Sequence, residues 1–399
     1  MSTSTLLVLA GLSVLVLAGA RWGFGRQQLP PVLQPLADSG IGFIALGVLI
    51  GPQGAALITG DTLRQMAPML VIALGWIGFL FGAHLELRLL RRYPQGLYAA
   101  GFTAAMATAA LVALVVWWVL ETLQVGMEVN RIPAAVAMGL CAAGTAPAGV
   151  FRFTQRTLRQ ADRNAMQFIS ATDDLPPLVL LAISSMFLPL SGAFPSHGGA
   201  WGWLALSLGL GVALGLATHW LFPKADNIRE NSLILLGIVS LGAGASALLH
   251  ISPIVVTVLG GAVFANLSPR KESAYGLLAQ REHSLYAVFL LVAGMELLFD
   301  WGTLALITPA YVLARGLGKV LGGWMGWRLF LSKTPVSPLI GTGLLFQGGM
   351  AVAMAVGFQQ ASHAYLADLV ASVVLASVLV NDLLAPFLAR WFLMRGRPS

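Results

Sequence analysis

Two adjacent aspartates, Asp173 and Asp174, stand in the stretch Ile169 to Ile183, ISATDDLPPLVLLAI, which is otherwise fit for hydrocarbon. A charged side chain at the centre of a membrane helix costs about 3 kcal/mol or more, so charges kept there belong to function. The other charged candidates inside apolar stretches are Arg315, Lys319 and Asp382. Neighbours on a helix point about 100° apart, so the two aspartates cannot serve one partner together. One can face an aqueous funnel while the other meets a cation on another helix. Lys319 is the obvious cation, because its flexible stem carries a compact ammonium that can change protonation, whereas Arg315 stays charged. Arg315 and Lys319 are spaced i, i+4 and share a helix face.

The two prolines that follow bear on the same chemistry. Pro176 and Pro177 have no N–H for the carbonyls of Thr172 and Asp173, four residues back, which leaves those oxygens open beside the carboxylates. A small hard cation takes carboxylate, hydroxyl and carbonyl ligands. Thr172, Asp174, the open backbone around Thr145, and Gln347 are the candidate ligands, with Asp382 a secondary candidate. The same groups would also serve a proton relay that binds no metal ion. A bare Asp–Lys lock between two helices would have no need of the second aspartate.

The elements that must position these groups are membrane helices. The chain has 399 residues, 57% of them hydrophobic and 10% charged, where a soluble domain carries roughly a quarter charged residues. About thirteen apolar segments approach the ~20 residues that span hydrocarbon. They cover residues 5–20, 33–50, 65–84, 95–120, 132–151, 164–188, 200–222, 232–248, 253–266, 284–299, 303–327, 337–358 and 363–389. If the loops alternate sides, one side receives only Arg64 and Arg131. The other receives every remaining basic residue except Arg315 and Lys319. The positive-inside rule then puts the N-terminus outside and the C-terminus in the cytoplasm. The net charge of +7 is thus topology, and not a nucleic-acid surface. Ala18-Gly19-Ala20 resembles a signal-peptide cleavage site, but no basic region precedes the apolar run, so an uncleaved first helix is expected. The single cysteine, Cys141, excludes intramolecular disulfides. No metal–cysteine cluster, phosphate loop or nucleophile–base pair is present, so neither an enzyme nor a cofactor is expected. The histidines His84, His197, His219, His250, His283 and His363 fall near segment ends.

Two segments are poor helices in the same way. The fifth contains GLCAAGTAPAGVF (Gly139 to Phe151) and the twelfth contains GTGLLFQGGMAV (Gly341 to Val352). Open backbone at membrane depth is tolerated only where protein buries it or it lines a cavity. Paired interrupted segments in corresponding halves indicate an inverted-repeat transporter with its site at the midplane. The segments that follow echo each other as well. Asp174, Leu175 and Pro177 match Asp382, Leu383 and Pro386 with one residue inserted, so segments 4–6 are repeated as 11–13.

On these motifs the chain resembles the monovalent cation/proton antiporter superfamily, in its family 2 branch. GVLIGPQG (Gly47 to Gly54), GFLFGAHLELRLLRR (Gly78 to Arg92), FLLVAGMELLF (Phe289 to Phe299) and ARGLGKVLGGW (Ala314 to Trp324) occur in the family's order. The resemblance implies a homodimer in a prokaryotic-type plasma membrane. It implies a core domain at residues 95–188 and 303–389 with two crossed broken helices, and a panel-like dimer domain at residues 1–92 and 200–299. It further implies that Asp174 exchanges protons for a cation, that Asp173 pairs with Lys319, and that Thr145 and Thr172 are the polar residues near the ion. A paired Asp-Asp with a lysine resembles the electrogenic sodium/proton type. The run Gln347-Gly348-Gly349 is closer to Kef-type potassium transporters. Since the chain ends at Ser399, no soluble regulatory domain is expected.

The expected function is secondary antiport of Na⁺, or of Li⁺ or K⁺, against H⁺ by alternating access. A Kef-like K⁺/H⁺ antiporter is the alternative. A cation channel would use rings of charge or carbonyls around a pore, and a transporter-like sensor would not need an intact charged set.

Overall fold

The computed structural model describes residues 40–90, 93–126, 130–154, 158–187, 199–222, 228–269, 271–297, 301–362 and 365–395. The apolar segment 5–20 and its signal-peptide alternative lie outside these residues. So do Arg21, Arg26, Arg91, Arg92, Arg156, Lys224, Arg270, Arg397, His197 and His363.

Every regular element among the described residues is helical. In chain order they are α1 (Ile41–Ile50), α2 (Gly60–Ala83), α3 (Gln95–Thr122), α4 (Ile132–Ala143), α5 (Pro147–Thr154), α6 (Gln160–Thr172) and α7 (Leu175–Phe187). There follow α8 (Gly199–Leu221), α9 (Ile228–Leu248), α10 (Pro253–Leu267), α11 (Lys271–Met295), α12 (Trp301–Gly326), α13 (Gly349–Ser362) and α14 (Tyr365–Arg395). A single turn (Leu87–Leu90), a π turn (Trp327–Leu331) and a 3₁₀ helix (Ile340–Leu344) complete the set. Among the described residues, seven helical spans are long and apolar enough to cross a membrane. Local chemistry sets several boundaries. Thr59 begins α2 by accepting a hydrogen bond from Thr62 N, and α4 and α10 each carry a proline in the first turn, where its missing N–H is not needed.

The two expected interruptions are present, and two further segments depart from the sequence pattern. The glycine-rich segments 132–151 and 337–358 are each interrupted as expected, the first between α4 and α5 and the second between the 3₁₀ helix and α13. The segment 164–188 is also two helices, because α6 ends at Thr172 and α7 begins at Leu175. Pro176 and Pro177 fall in the first turn of α7, so the proline pair starts a helix rather than kinking a continuous one. The segment 284–299 is the apolar half of α11, whose polar first half extends back to Lys271.

The chain divides into two compact units. One comprises Met1–Leu90 and His197–Leu297, the other Arg91–Ser196 and Leu298–Ser399. In the first unit, Phe264 packs its ring against Phe79 and Phe222, within a core that includes Trp76, Leu214 and Leu235.

The second unit carries the charged residues. Its apolar cluster joins α6 to the second interruption through Met166, Ile169, Ile340, Leu344 and Phe346. In α12, Gly318, Gly322 and Gly326 fall four residues apart and lie on Thr108, Ala104 and Ala100 of α3, which share that spacing. A Cβ built on Gly318 would come 2.8 Å from Thr108 Cα, and one on Gly326 would come 2.5 Å from Ala100 O. Helix association in lipid gains little from the hydrophobic effect and depends on such close backbone approach. This contact packs the second half of α12 closely on α3.

Candidate functional site

On α12, Tyr311, Arg315 and Lys319 stand four residues apart, each 0% exposed. Both cations are met by backbone oxygen. α4 ends at Ala143 and the 3₁₀ helix at Leu344, and each end leaves carbonyls with no partner within its own helix. Arg315 donates from Nε to Ala142 O (3.0 Å), from Nη2 to Gly144 O (2.9 Å) and Phe346 O (3.1 Å), and from Nη1 to Leu345 O (2.6 Å). One planar guanidinium therefore ties both interruptions together, which its fixed fork of donors suits it to do. The two open strands also bond each other directly, Ala146 N donating to Phe346 O at 3.1 Å. A helix C-terminus carries partial negative charge, so two cations at this crossing are electrostatically placed as well as hydrogen-bonded.

Lys319 completes the first interruption. Its Nζ donates to Ala143 O, to Thr145 Oγ1 (2.7 Å) and to Asp173 Oδ2 (2.9 Å). Asp173 in turn accepts from Thr145 N (3.2 Å) and Thr145 Oγ1 (2.6 Å). The side chains of Asp173 and Lys319 are both fully buried. The Thr145 hydroxyl is thus committed twice, accepting from the ammonium and donating to the carboxylate.

Asp174 lies elsewhere. It is 4% exposed, and among the described residues no hydrogen-bond donor is directed at its carboxylate. Its Oδ1 rests on Gly144, at the place where any other residue would carry a Cβ. The two aspartates therefore diverge at the α6–α7 junction, yet both reach the same open strand, Gly144-Thr145.

The remaining sequence candidates are placed as follows. Thr172 turns its hydroxyl back on its own helix, donating to Phe168 O (3.0 Å) and Ile169 O (3.3 Å). Gln347 has its carboxamide engaged on both sides. Nε2 donates to Tyr311 Oη (3.0 Å) and lies 3.5 Å from Cys141 O, while Oε1 accepts from Asn381 Nδ2 (2.8 Å) and Ser377 Oγ (3.2 Å). Asp382 accepts from Gln347 N at 3.2 Å. Asp382 thereby does for the second interruption what Asp173 does for the first, since each carboxylate takes an amide of the open strand. The sequence motif aligned Asp382 with Asp174; the hydrogen bonds align it with Asp173. Arg315, grouped with Lys319 as a charge partner, is seated on carbonyls instead.

Sequence reasoning passed over Tyr311, Ser377, Asn381 and Gly144. The first three were signalled by spacing, since Tyr311 precedes Arg315 by four residues and Ser377 precedes Asn381 by four. Gly144 carried no signal beyond its place in an interrupted segment. Among the described residues, no group of three or more His, Cys, Asp and Glu is arranged to hold a metal ion.

The family model described as sodium/hydrogen exchanger, transmembrane, matches residues 12–395. No curated protein matches the sequence. Among solved structures, that of the sodium proton antiporter MjNhaP1 from Methanocaldococcus jannaschii at pH 8 is similar, with 16% identity and a TM-score of 0.66, covering 98% of each chain. A second structure of that antiporter, from a 3D EM map, has 16% identity and a TM-score of 0.57 and covers 100% of both chains. At this identity the likeness is one of fold, that of a multi-pass helical antiporter.

Proposed function

The chain belongs to the sodium/hydrogen exchanger family and is a cation/proton antiporter of the membrane; from that premise we propose that it carries Na⁺ by alternating access and that Asp174 is the exchanging carboxylate. The Kef-like potassium reading is not favoured, because the family model and both solved structures are those of sodium/proton exchangers.

One observation carries the assignment of roles. Asp173 is saturated by Lys319 and Thr145, whereas Asp174 beside it has no donor directed at it among the described residues. A carboxylate in that setting can bind either a proton or a cation, and not both at once. Competition of the two for Asp174 couples their movements in opposite directions. Lys319 and Asp173 supply the second titratable step that makes exchange electrogenic, and Li⁺ is expected to substitute for Na⁺. The unit holding α3–α7 and α12–α14 is the moving core, and the unit holding α1, α2 and α8–α11 is the scaffold on which two copies dimerise. The basic loops put the C-terminus in the cytoplasm of a prokaryotic-type plasma membrane. The transported ions bind transiently, and no resident cofactor takes part.

The test is cation-dependent proton movement in proteoliposomes, scanned over Na⁺, Li⁺ and K⁺. A response to Na⁺ and Li⁺ with little to K⁺ is expected. Absence of a response to every cation would overturn the reading.

A further inference from the structure

We propose that Gly144 is a positioning residue for the exchanging carboxylate, in that the volume of its missing side chain is the seat of Asp174. This rests on the assignment of Asp174 made above and adds a residue to it.

A Cβ built on Gly144 would stand 1.7 Å from Asp174 Oδ1 and 2.9 Å from Asp174 Cγ. The glycine is not there for its backbone. At φ −72° and ψ 160° the residue is extended, a conformation open to any amino acid. What the position requires is space. Neither side of the contact can step back to make more. The Gly144 carbonyl is held by Arg315 Nη2, and the next amide, Thr145 N, is held by Asp173. On the opposite side, Asp173 is fixed by three hydrogen bonds from Thr145 and Lys319, and Pro176 and Pro177 follow within the first turn of α7. With both backbones pinned, a methyl group at 144 must displace the Asp174 side chain itself. Asp174 is thus located by van der Waals contact with the open strand rather than by a hydrogen-bond donor. Such a seat places the carboxylate without competing for the lone pairs that a proton or a cation must use.

The test is Gly144→Ala, read as Na⁺-dependent exchange in proteoliposomes across a range of pH. Displacing a reacting group by about 1 Å can cost on the order of 100-fold, so the apparent KM for Na⁺ should rise by about tenfold or more. The pH of half-maximal rate should move with it. Gly139→Ala is the control, on α4 just before the open strand, since its Cβ would meet Ala109 O at 2.4 Å and none of the carboxylates. It should lose thermal stability and keep the parental KM and pH midpoint. A folded Gly144→Ala protein with parental KM and pH midpoint overturns the proposal, as does a Gly139→Ala protein that moves both equally. Should Gly144→Ala not fold, Asp174→Glu decides, because one added methylene crowds the same contact from the other side. A Glu variant with parental KM and pH midpoint overturns the proposal, and a raised KM with a moved midpoint supports it. Asp174→Asn separates the two readings. Exchange retained in that variant overturns the role of Asp174 itself, whereas an inactive Asn variant beside a parental Gly144→Ala overturns the seat alone.

Discussion

Lys319 Nζ stands 2.9 Å from Asp173 Oδ2, with both side chains sealed from solvent. Each charge is tolerable there because of the other. Removing either partner of a buried pair typically costs about 3–5 kcal/mol, since it strands an uncompensated charge. Lys319→Gln should therefore melt at a lower temperature than the parent. Adding Asp173→Asn should restore much of the loss, because the stranded charge is then gone. If Lys319 also gives up a proton when the cation arrives, the single variant exchanges without generating a membrane potential. Reversal potentials measured beside melting temperatures check both parts. A Lys319→Gln protein that still generates a potential confines the pair to a structural role.

Asp174→Asn should abolish exchange and leave the fold intact. The change keeps the size of the side chain and removes only its ability to titrate, and no described donor depends on it. Cation-driven pH change in proteoliposomes, with a melting curve as control, reads the outcome. Retained exchange would move the proton carrier to Asp173 or Asp382.

Thr145→Ala should be felt by the ion pair before it is felt by the ion. The hydroxyl donates to Asp173 at 2.6 Å and accepts from Lys319 at 2.7 Å, so neither its proton nor its inward lone pair is idle. Leaving buried partners unsatisfied costs about 1–3 kcal/mol, which should appear as a lower melting temperature. Thr145→Ser keeps the hydroxyl and should keep most of the stability. A raised KM for Na⁺ in a Thr145→Ala protein of parental stability would instead make the hydroxyl a direct ligand.

Arg315→Lys should be far from conservative. The guanidinium meets carbonyls from both interruptions in one plane, namely Ala142, Gly144, Leu345 and Phe346. An ammonium has three donors on one atom and cannot span that set. A buried carbonyl left without a donor costs about 1–3 kcal/mol, so the Lys variant should be strongly destabilised and Arg315→Gln more so. Thermal melting of the purified protein in detergent is the measurement. A Lys variant of parental stability would mean that the crossing is held by Ala146 N and Phe346 O without help.

The sequence by itself determined the class of the molecule and its chemistry-bearing residues. Its composition demanded a membrane. Its glycine-rich segments marked where helices would fail, and Asp173, Asp174, Arg315, Lys319 and Asp382 stood among the few charged side chains in apolar surroundings. Those features are local, because the cost of a charge or an open backbone in hydrocarbon is set by the residue itself and its near neighbours. Partnership is not local. Only the tertiary structure decided that Arg315 would meet carbonyls rather than carboxylates, that Gln347 would be spent on Tyr311 and Asn381, and that Thr172 would turn back on its own helix. The α6–α7 break at Asp173 and Asp174 belongs with these. A proline pair reads equally well as a kink or as the first turn of a new helix until the partners of the preceding residues are known. Asp382 shows the same limit, since motif spacing aligned it with Asp174 while the amide of Gln347 matched it to Asp173. A hydrogen bond joins atoms across 28 or 35 residues of chain, and no spacing within one helix encodes which distant amide a carboxylate will reach. Gly144 is the extreme case, a residue whose contribution is an absence of atoms that becomes legible only when Asp174 is found in the space.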